Sequence, residues 1–276
     1  MKTTILSAAV LMCICFKLHA QQSIDKLVAT EKSFAATSKE QNTKIAFISF
    51  LDSNCIGYRN GEEVNLFEEY SKRNDDGSKL TWAPEFAVIS SSGDLGATTG
   101  PWEYRQSSLK DTPVAHGHFT TIWKKNDKGE WKAVFDMGIG YAQKQNNNNQ
   151  ITAVVLTNAN AVGTVKSELP LVNIDLNFSD AFEIDKKYAV SKVVTNDSWL
   201  SIQGNAPLRG SAAINAFLSS YADNIKFSLP EHSIFSKSMD MFAMYGQAQT
   251  GNTKQAYMRL WIKQGDEWKL LMMVVH

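Results

Sequence analysis

The chain has 276 residues with 28 basic and 28 acidic side chains, so its formal net charge is zero. Hydrophobic residues make up 43% of the sequence and charged residues 20%, which provides for a buried core and excludes a disordered or fibrous protein. The balanced charge argues against a nucleic-acid-binding face, which needs clustered lysine and arginine. Composition therefore favours one large globular domain or two domains of ordinary size.

The N-terminal residues have the pattern of an export signal. Lys2 precedes an apolar run over 5–16, and Ala20 provides a small residue at the predicted cleavage point. The apolar run is too short to cross a bilayer, which needs about 20 residues. We therefore expect residues 1–20 to be a signal peptide, no membrane span in the mature chain, and an exported protein, either periplasmic or secreted.

A polar, low-complexity stretch over 143–150 divides the chain and is typical of a linker. The sequences on its two sides resemble each other: 92–100 aligns with 238–246, and 121–125 aligns with 259–263. The similarity indicates a tandem duplication with copies of ordinary domain size. The predicted organisation after the signal peptide is a first domain over 21–140, a linker over 141–177 and a second domain over 178–276.

Each copy is predicted to run from helix to sheet. Apolar residues between Ile24 and Ala35 recur every three or four residues, which predicts an amphipathic helix; 43–51 and 211–221 predict further helices. Alternating apolar residues predict one antiparallel hairpin in each copy, formed by 118–124 with 131–138 and by 256–263 with 267–275. Helices followed by long antiparallel strands are typical of the α+β class, with the helices packed on one face of the sheet.

The spaced motifs of the first copy resemble the nuclear transport factor 2-like superfamily, in its polyketide-cyclase-like and domain-of-unknown-function branches. The matching segments cover about residues 27–139 in the family's order: 80–84, 92–96, 99–102, 117–125, 129–132 and 136–138. In the second copy, 210–217 and the terminal hairpin match. The resemblance implies two tandem cone-shaped domains, in each of which helices pack on a curved antiparallel sheet around a pocket.

This resemblance leaves the activity open, because the fold hosts isomerases, dehydratases, cyclases, binding modules and dimerisation domains. Members that resemble ketosteroid isomerase use one carboxylate as a base and a second, protonated acid to hold an oxyanion. The corresponding positions are Ser201 and Met258 in the second copy, and 56–59 and Thr120 in the first. Neither copy has either acid, so that mechanism is disfavoured and no catalytic residue is assigned.

The candidate ligand-binding residues all lie in the first copy: Tyr58, Trp82, Trp102, His118 and Asp136. Asp136 lies in an otherwise apolar strand, where a carboxylate must be hydrogen-bonded, exposed at the strand end or lining a pocket. Aromatic side chains commonly line apolar pockets, although most tryptophans in small sheet domains belong to the core. The position aligned with Asp136 in the second copy is Met273, so we expect the second copy to be mainly a packing partner.

A metal site is a weaker hypothesis. His116 and His118 would share one face of a strand and could bind zinc if Asp111 or Asp136 completed the set. A solvated pair at a strand edge is the more common outcome for such histidines. The sequence also has no phosphate-loop, dinucleotide or zinc-protease fingerprint, so we expect no metal and no cofactor.

The leading functional hypothesis is an exported protein that binds a small apolar or mixed-polarity molecule in its first domain, without catalysis. Two alternatives stay open: a lyase, isomerase or cyclase that uses Asp136 or His118, and a structural dimerisation or interaction module. The linker is long enough for the two domains to pair within one chain, with a homodimer as a further alternative. We expect no nucleic-acid partner.

Overall fold

The computed structural model describes residues 22–142, 150–157 and 167–276. Within these ranges the chain forms two separate sheets with helices packed on them, and the predicted α+β class is confirmed. The predicted signal peptide and most of the stretch over 143–150 lie outside the described residues. None of the helices in the described ranges is long and apolar enough to cross a membrane.

The first unit (residues 22–157) opens with two helices, as its sequence predicts. Helix α1 (22–40) buries Ile24, Leu27 and Phe34 on one face, since these residues recur at helical spacing. The Asn42 side chain accepts the Ile45 N–H at the start of the next helix and caps it. The remaining elements are α2 (Thr43–Phe50), β1 (Leu51–Arg59), β2 (Glu62–Asn65), α3 (Leu66–Lys72), β3 (Lys79–Trp82), β4 (Phe86–Ile89), β5 (Leu95–Arg105), β6 (Ala115–Lys125), β7 (Trp131–Gly140) and β8 (Thr152–Val155).

The second unit (residues 167–276) repeats this plan with one long helix in place of two. Helix α4 (Leu169–Val193) departs from helical geometry at Asp185 and packs Leu171, Phe178 and Phe182 into the core. The elements of the second unit are α4 (Leu169–Val193), β9 (Trp199–Ile202), β10 (Leu208–Arg209), α5 (Ser211–Ser220), β11 (Ile225–Phe227), β12 (His232–Phe235), β13 (Met241–Thr250), β14 (Thr253–Gln264) and β15 (Glu267–Val275). The predicted helix over 211–221 and both predicted hairpins are confirmed.

The two sheets have the same topology apart from the additional edge strand β8 of the first. The first has the order β2-β1-β7-β6-β5-β4-β8, with β3 also paired to β5; the second has the order β10-β9-β15-β14-β13-β11, with β12 also paired to β13. In both sheets the short first strand runs parallel to the last strand of the hairpin. The hairpins even share a register shift at one place, between Ile122 and Trp123 in the first unit and between Leu260 and Trp261 in the second. This correspondence fits the duplication inferred from the sequence.

Strand β8 and the beginning of helix α4 lie inside the stretch predicted as a linker, 141–177. Strand β8 pairs in parallel with β4 at the edge of the first sheet, and α4 begins at Leu169. Both elements are hard to recognise in the sequence, because polar and low-complexity residues lie next to them. The domain boundaries themselves stay a prediction, but ordered structure extends well into the proposed linker.

The two sheets pack against each other through a shared apolar core, and a separate helix-on-sheet core lies within each unit. Ile122 and Phe135 of the first sheet meet Met258 and Met272 of the second in the shared core. Both faces of each sheet are therefore largely buried, one by its own helices and the other by the opposite sheet.

Two equivalent turns join the units by reciprocal hydrogen bonds. The Ser92 N–H donates to Ser238 Oγ over 3.2 Å, and the Ser238 N–H donates to Ser92 Oγ over 3.1 Å. The acid of each turn accepts a backbone N–H from the other turn: Asp240 from Ser91 and Asp94 from Lys237. These contacts relate the units as an isologous pair, like the two subunits of a symmetric dimer.

Replacing Asp240 by alanine should lower the free energy of unfolding by about 2 kcal/mol, because it leaves buried donors without an acceptor. The carboxylate is fully buried and accepts the Ser91 N–H and the Ser236 hydroxyl, each over 3.1 Å. Urea unfolding measures the change. The matched control is Asp266→Ala in the exposed turn between β14 and β15, which should change stability by less than about 0.5 kcal/mol. Equal effects of the two variants would mean that the junction contributes little.

Candidate functional site

A cavity of about 290 Å³ lies between the helices and the sheet of the first unit. Aromatic side chains make up much of its wall: Phe34, Phe47, Tyr70, Trp82, Trp102, Tyr104 and Phe119. The polar groups that face it are Thr43, Arg59, Arg73, Ser78, Thr121 and Asp136. An apolar cavity with a few convergent polar groups is the general form of a small-molecule site.

Trp102 lies across the strands because two neighbouring positions have no side chain. A Cβ atom added at Gly117 would fall 2.5 Å from Trp102 Cζ2, and one added at Gly138 would fall 3.0 Å from Trp102 Nε1. Both distances are shorter than ordinary contacts. Glycine at these positions of β6 and β7 therefore makes room for the indole that forms this part of the cavity wall.

Asp136 is the only acidic side chain of the described residues that lines this cavity. It accepts the Thr121 hydroxyl over 2.6 Å, from the residue directly opposite it on β6. Burial raises the pKa of Asp136, while the Thr121 hydrogen bond and the charge of Arg59 oppose the rise. The carboxyl group presents part of its surface to the cavity and is otherwise enclosed by protein. It can accept a hydrogen bond when ionised and donate one when protonated.

A second buried acid, Glu31 of α1, lies behind the cavity wall and was not among the predicted site residues. It accepts hydrogen bonds from Trp82 Nε1 and from the Thr98 hydroxyl, each 2.6 Å long, and from Trp123 Nε1, 3.2 Å long. Burial raises the pKa of Glu31 to about 7, against these hydrogen bonds and with a smaller contribution from the charge of Asp136. Its sequence signal was a single acid on the apolar face of an amphipathic helix.

Two predicted site residues face the other side of the sheet. Tyr58 is 1% exposed in the core between the sheets, and its hydroxyl donates to Glu231 of the second unit over 2.8 Å. His118 alternates with the cavity residues on β6, so its ring points away from the cavity and stacks on Trp199. Burial lowers the pKa of His118 to about 3, which keeps the imidazole neutral. Of the five predicted residues, the cavity thus brings together Trp82, Trp102 and Asp136.

The zinc hypothesis gains no support from the geometry. The described residues contain no group of three or more His, Cys, Asp or Glu side chains placed to hold a metal. His116 is adjacent to Tyr141, and His118 Nε2 lies 3.6 Å from the carboxylate of Glu85.

Two arginines line the cavity, and each is already paired with an acid. Arg59 Nη2 lies 3.3 Å from Glu69 Oε1, and Arg73 Nη2 lies 3.3 Å from Asp76 Oδ2. All four side chains are partly exposed to solvent, so these are surface ion pairs of small net energy. The charge of the arginines is therefore largely balanced where they lie.

The equivalent space in the second unit contains the side chain of Arg259, which is fully buried. Arg259 Nη2 donates to Asp175 Oδ2 over 2.7 Å and to Ser179 Oγ over 2.8 Å. Asp175 also accepts Trp261 Nε1, as Glu31 accepts Trp123 Nε1 in the first unit. Arg259 stands opposite Met273 in the register of the hairpin, as Thr121 stands opposite Asp136. The alignment of Asp136 with Met273 is thus confirmed.

No protein-family model and no curated protein matches the chain. Solved structures do match, and many of them are nuclear transport factor 2-like proteins. A protein of this kind from Cytophaga hutchinsonii is 13% identical, with 40% of this chain and 98% of its own covered at a TM-score of 0.34. One from Shewanella oneidensis is 20% identical, with 41% and 96% covered at a TM-score of 0.34. Nuclear transport factor 2 from Cryptosporidium parvum is 10% identical, with 41% and 97% covered at a TM-score of 0.34.

The fold resembles that of nuclear transport factor 2-like proteins. The two sheets of the chain fit a tandem duplication, as the repeated sequence segments predicted. In the first unit the space between helices and sheet is a cavity, and in the second an arginine side chain occupies the corresponding position.

Proposed function

We propose that the protein is exported and binds a small, largely apolar molecule in the cavity of its first unit, without catalysis. The observation that carries this proposal is the cavity of about 290 Å³ with aromatic walls and the Asp136–Thr121 pair. Ligand pockets are commonly about 300–1,000 Å³, so this volume suits a small ligand. In the enzymatic alternative His118 cannot act on a molecule in the cavity, because its ring lies on the other side of the sheet.

The second unit has a supporting role in this proposal. Its sheet covers the back of the first sheet, and the two equivalent turns link the units by reciprocal hydrogen bonds. The pairing within one chain therefore replaces the dimer contact that a single unit would need to bury its apolar sheet face. A rigid sheet at the base of the cavity holds the aromatic walls in place.

Native mass spectrometry of the protein purified from its own host tests the proposal. We expect a chain that begins at Gln21 and carries a bound small molecule. Thr121→Phe should fill the cavity and remove the bound mass, because Thr121 is one of its lining residues. The control Thr253→Phe lies at the exposed first position of β14 and should keep the bound mass. A chain that retains residues 1–20 contradicts export, and loss or retention of the bound mass in both variants alike contradicts this site.

A further inference from the structure

The second unit contains an internal analogue of a bound ligand. The Arg259 guanidinium carbon lies 5.2 Å from the ring centre of Phe178, 4.5 Å from that of Phe227 and 4.3 Å from that of Tyr257. These distances are within the range of cation–π attraction, which is strongest where water is excluded. The space between the helices and the sheet of the second unit therefore accommodates a cation, which the chain itself provides.

The three rings around Arg259 have counterparts in the first unit. Phe34 lies three residues after Glu31, as Phe178 lies three residues after Asp175, and Phe119 lies two residues before Thr121, as Tyr257 lies two residues before Arg259. The counterpart of Phe227 is Trp82. Phe227 pairs with Ala248 in the second sheet, and Trp82 pairs with Trp102 in the first. Ala248 lies ten residues after Ser238 and Trp102 lies ten residues after Ser92, the equivalent serines of the two turns. All three counterparts, Phe34, Trp82 and Phe119, line the cavity.

The first unit differs from the second at the two positions that decide charge. Thr121 stands where the second unit has Arg259, so the first unit provides no cation at this position. Asp136 stands where the second unit has Met273, so the first unit adds a carboxylate to the cavity wall. The two spaces share their aromatic rings, but the first has no cation at the Arg259 position and has a carboxylate at the Met273 position.

We infer that the cavity of the first unit takes a small molecule with an ammonium or guanidinium group on an apolar body, and that this group lies among Phe34, Trp82 and Phe119 with Asp136 as its partner. The inference rests on the proposed function and names the chemical class of its ligand. Arg59 and Arg73 also line the cavity, but each pairs with an acid, Glu69 or Asp76, so they oppose a bound cation less than unpaired arginines would.

Three probes with one apolar body and different charges test the inference by isothermal titration calorimetry at pH 7.5: 4-phenylbutylamine, 4-phenylbutanol and 4-phenylbutyrate. We expect the amine to bind at least about tenfold more tightly than the alcohol, and the carboxylate to bind most weakly, since a desolvated cation gains both the ring faces and the carboxylate. Asp136→Asn should reduce the affinity for the amine to nearly that for the alcohol and should change the affinity for the alcohol much less. The control Asp127→Asn, in an exposed turn of the same unit, should change neither affinity.

Thr121→Arg provides a second, independent variant. It gives the first unit the guanidinium that Arg259 gives the second, so binding of all three probes should be lost. If the alcohol or the carboxylate binds the unmodified protein as tightly as the amine, the inference is overturned while small-molecule binding stands. If none of the probes binds and no small molecule co-purifies, the proposed function falls as well.

Discussion

Arg259→Met should lower the free energy of unfolding by about 3–5 kcal/mol, the typical effect of removing one partner of a buried ion pair. Arg259 and Asp175 are both 0% exposed, and their shortest N–O distance is 2.7 Å. Without the guanidinium, the Asp175 carboxylate keeps the indole N–H of Trp261 as its donor but loses its compensating charge. Urea unfolding followed by tryptophan fluorescence measures the loss.

The double variant Arg259→Met, Asp175→Asn separates the ion pair from packing. It should recover most of the lost stability, because an asparagine oxygen can still accept the Trp261 N–H and no unpaired charge remains. Among the described residues, Arg259 Nε and Nη1 have no hydrogen-bond partner, so replacing this arginine by an apolar chain removes buried donors that lack partners there. A single variant that loses less than about 1 kcal/mol, or a double variant no better than the single, would contradict this account.

The sequence predicted the helices and strands of the fold better than it predicted which side of the sheet each strand residue faces. Hairpins and helices follow from periodicity, and Trp123 and Trp261 mark the same place in both copies. Tyr58 and His118 were expected at the site but face the opposite sheet. When both faces of a sheet are buried, apolar and polar residues no longer alternate clearly, so the sequence does not reveal which face forms the cavity.

Two features of the site depend on contacts that no local pattern predicts. Glu31 is recognisable only as an acid on an apolar helix face, and its partners Trp82 and Thr98 lie 51 and 67 residues away. The contrast between Thr121 and Arg259 was visible in the alignment, but its meaning required the ring contacts of the guanidinium. Long-range packing, rather than periodicity, decides which unit has the cavity.

Glu31 should make the protein less stable as the pH rises from about 5 to 8. Its pKa is raised from 4.5 to about 7 in the folded chain, mainly by burial. Between these two values the folded state binds more protons than the unfolded state, so the free energy of unfolding falls with increasing pH, by about 3 kcal/mol in total. The contribution of Glu31 is complete below about pH 4.5 and is lost above about pH 7.

Glu31→Gln should remove this slope, because glutamine does not titrate and can still accept the Trp82 N–H. The difference in unfolding free energy between the variant and the unmodified protein should therefore shift by about 3 kcal/mol in favour of the variant between pH 5 and pH 8. Taking this difference cancels the other titrating groups, provided that they respond equally in both proteins. Glu40→Gln, at an exposed position of the same helix, is the matched control and should give a profile parallel to that of the unmodified protein. A parallel profile for Glu31→Gln would instead mean that water or a neighbouring charge reaches the Glu31 carboxylate and keeps its pKa near 4.5.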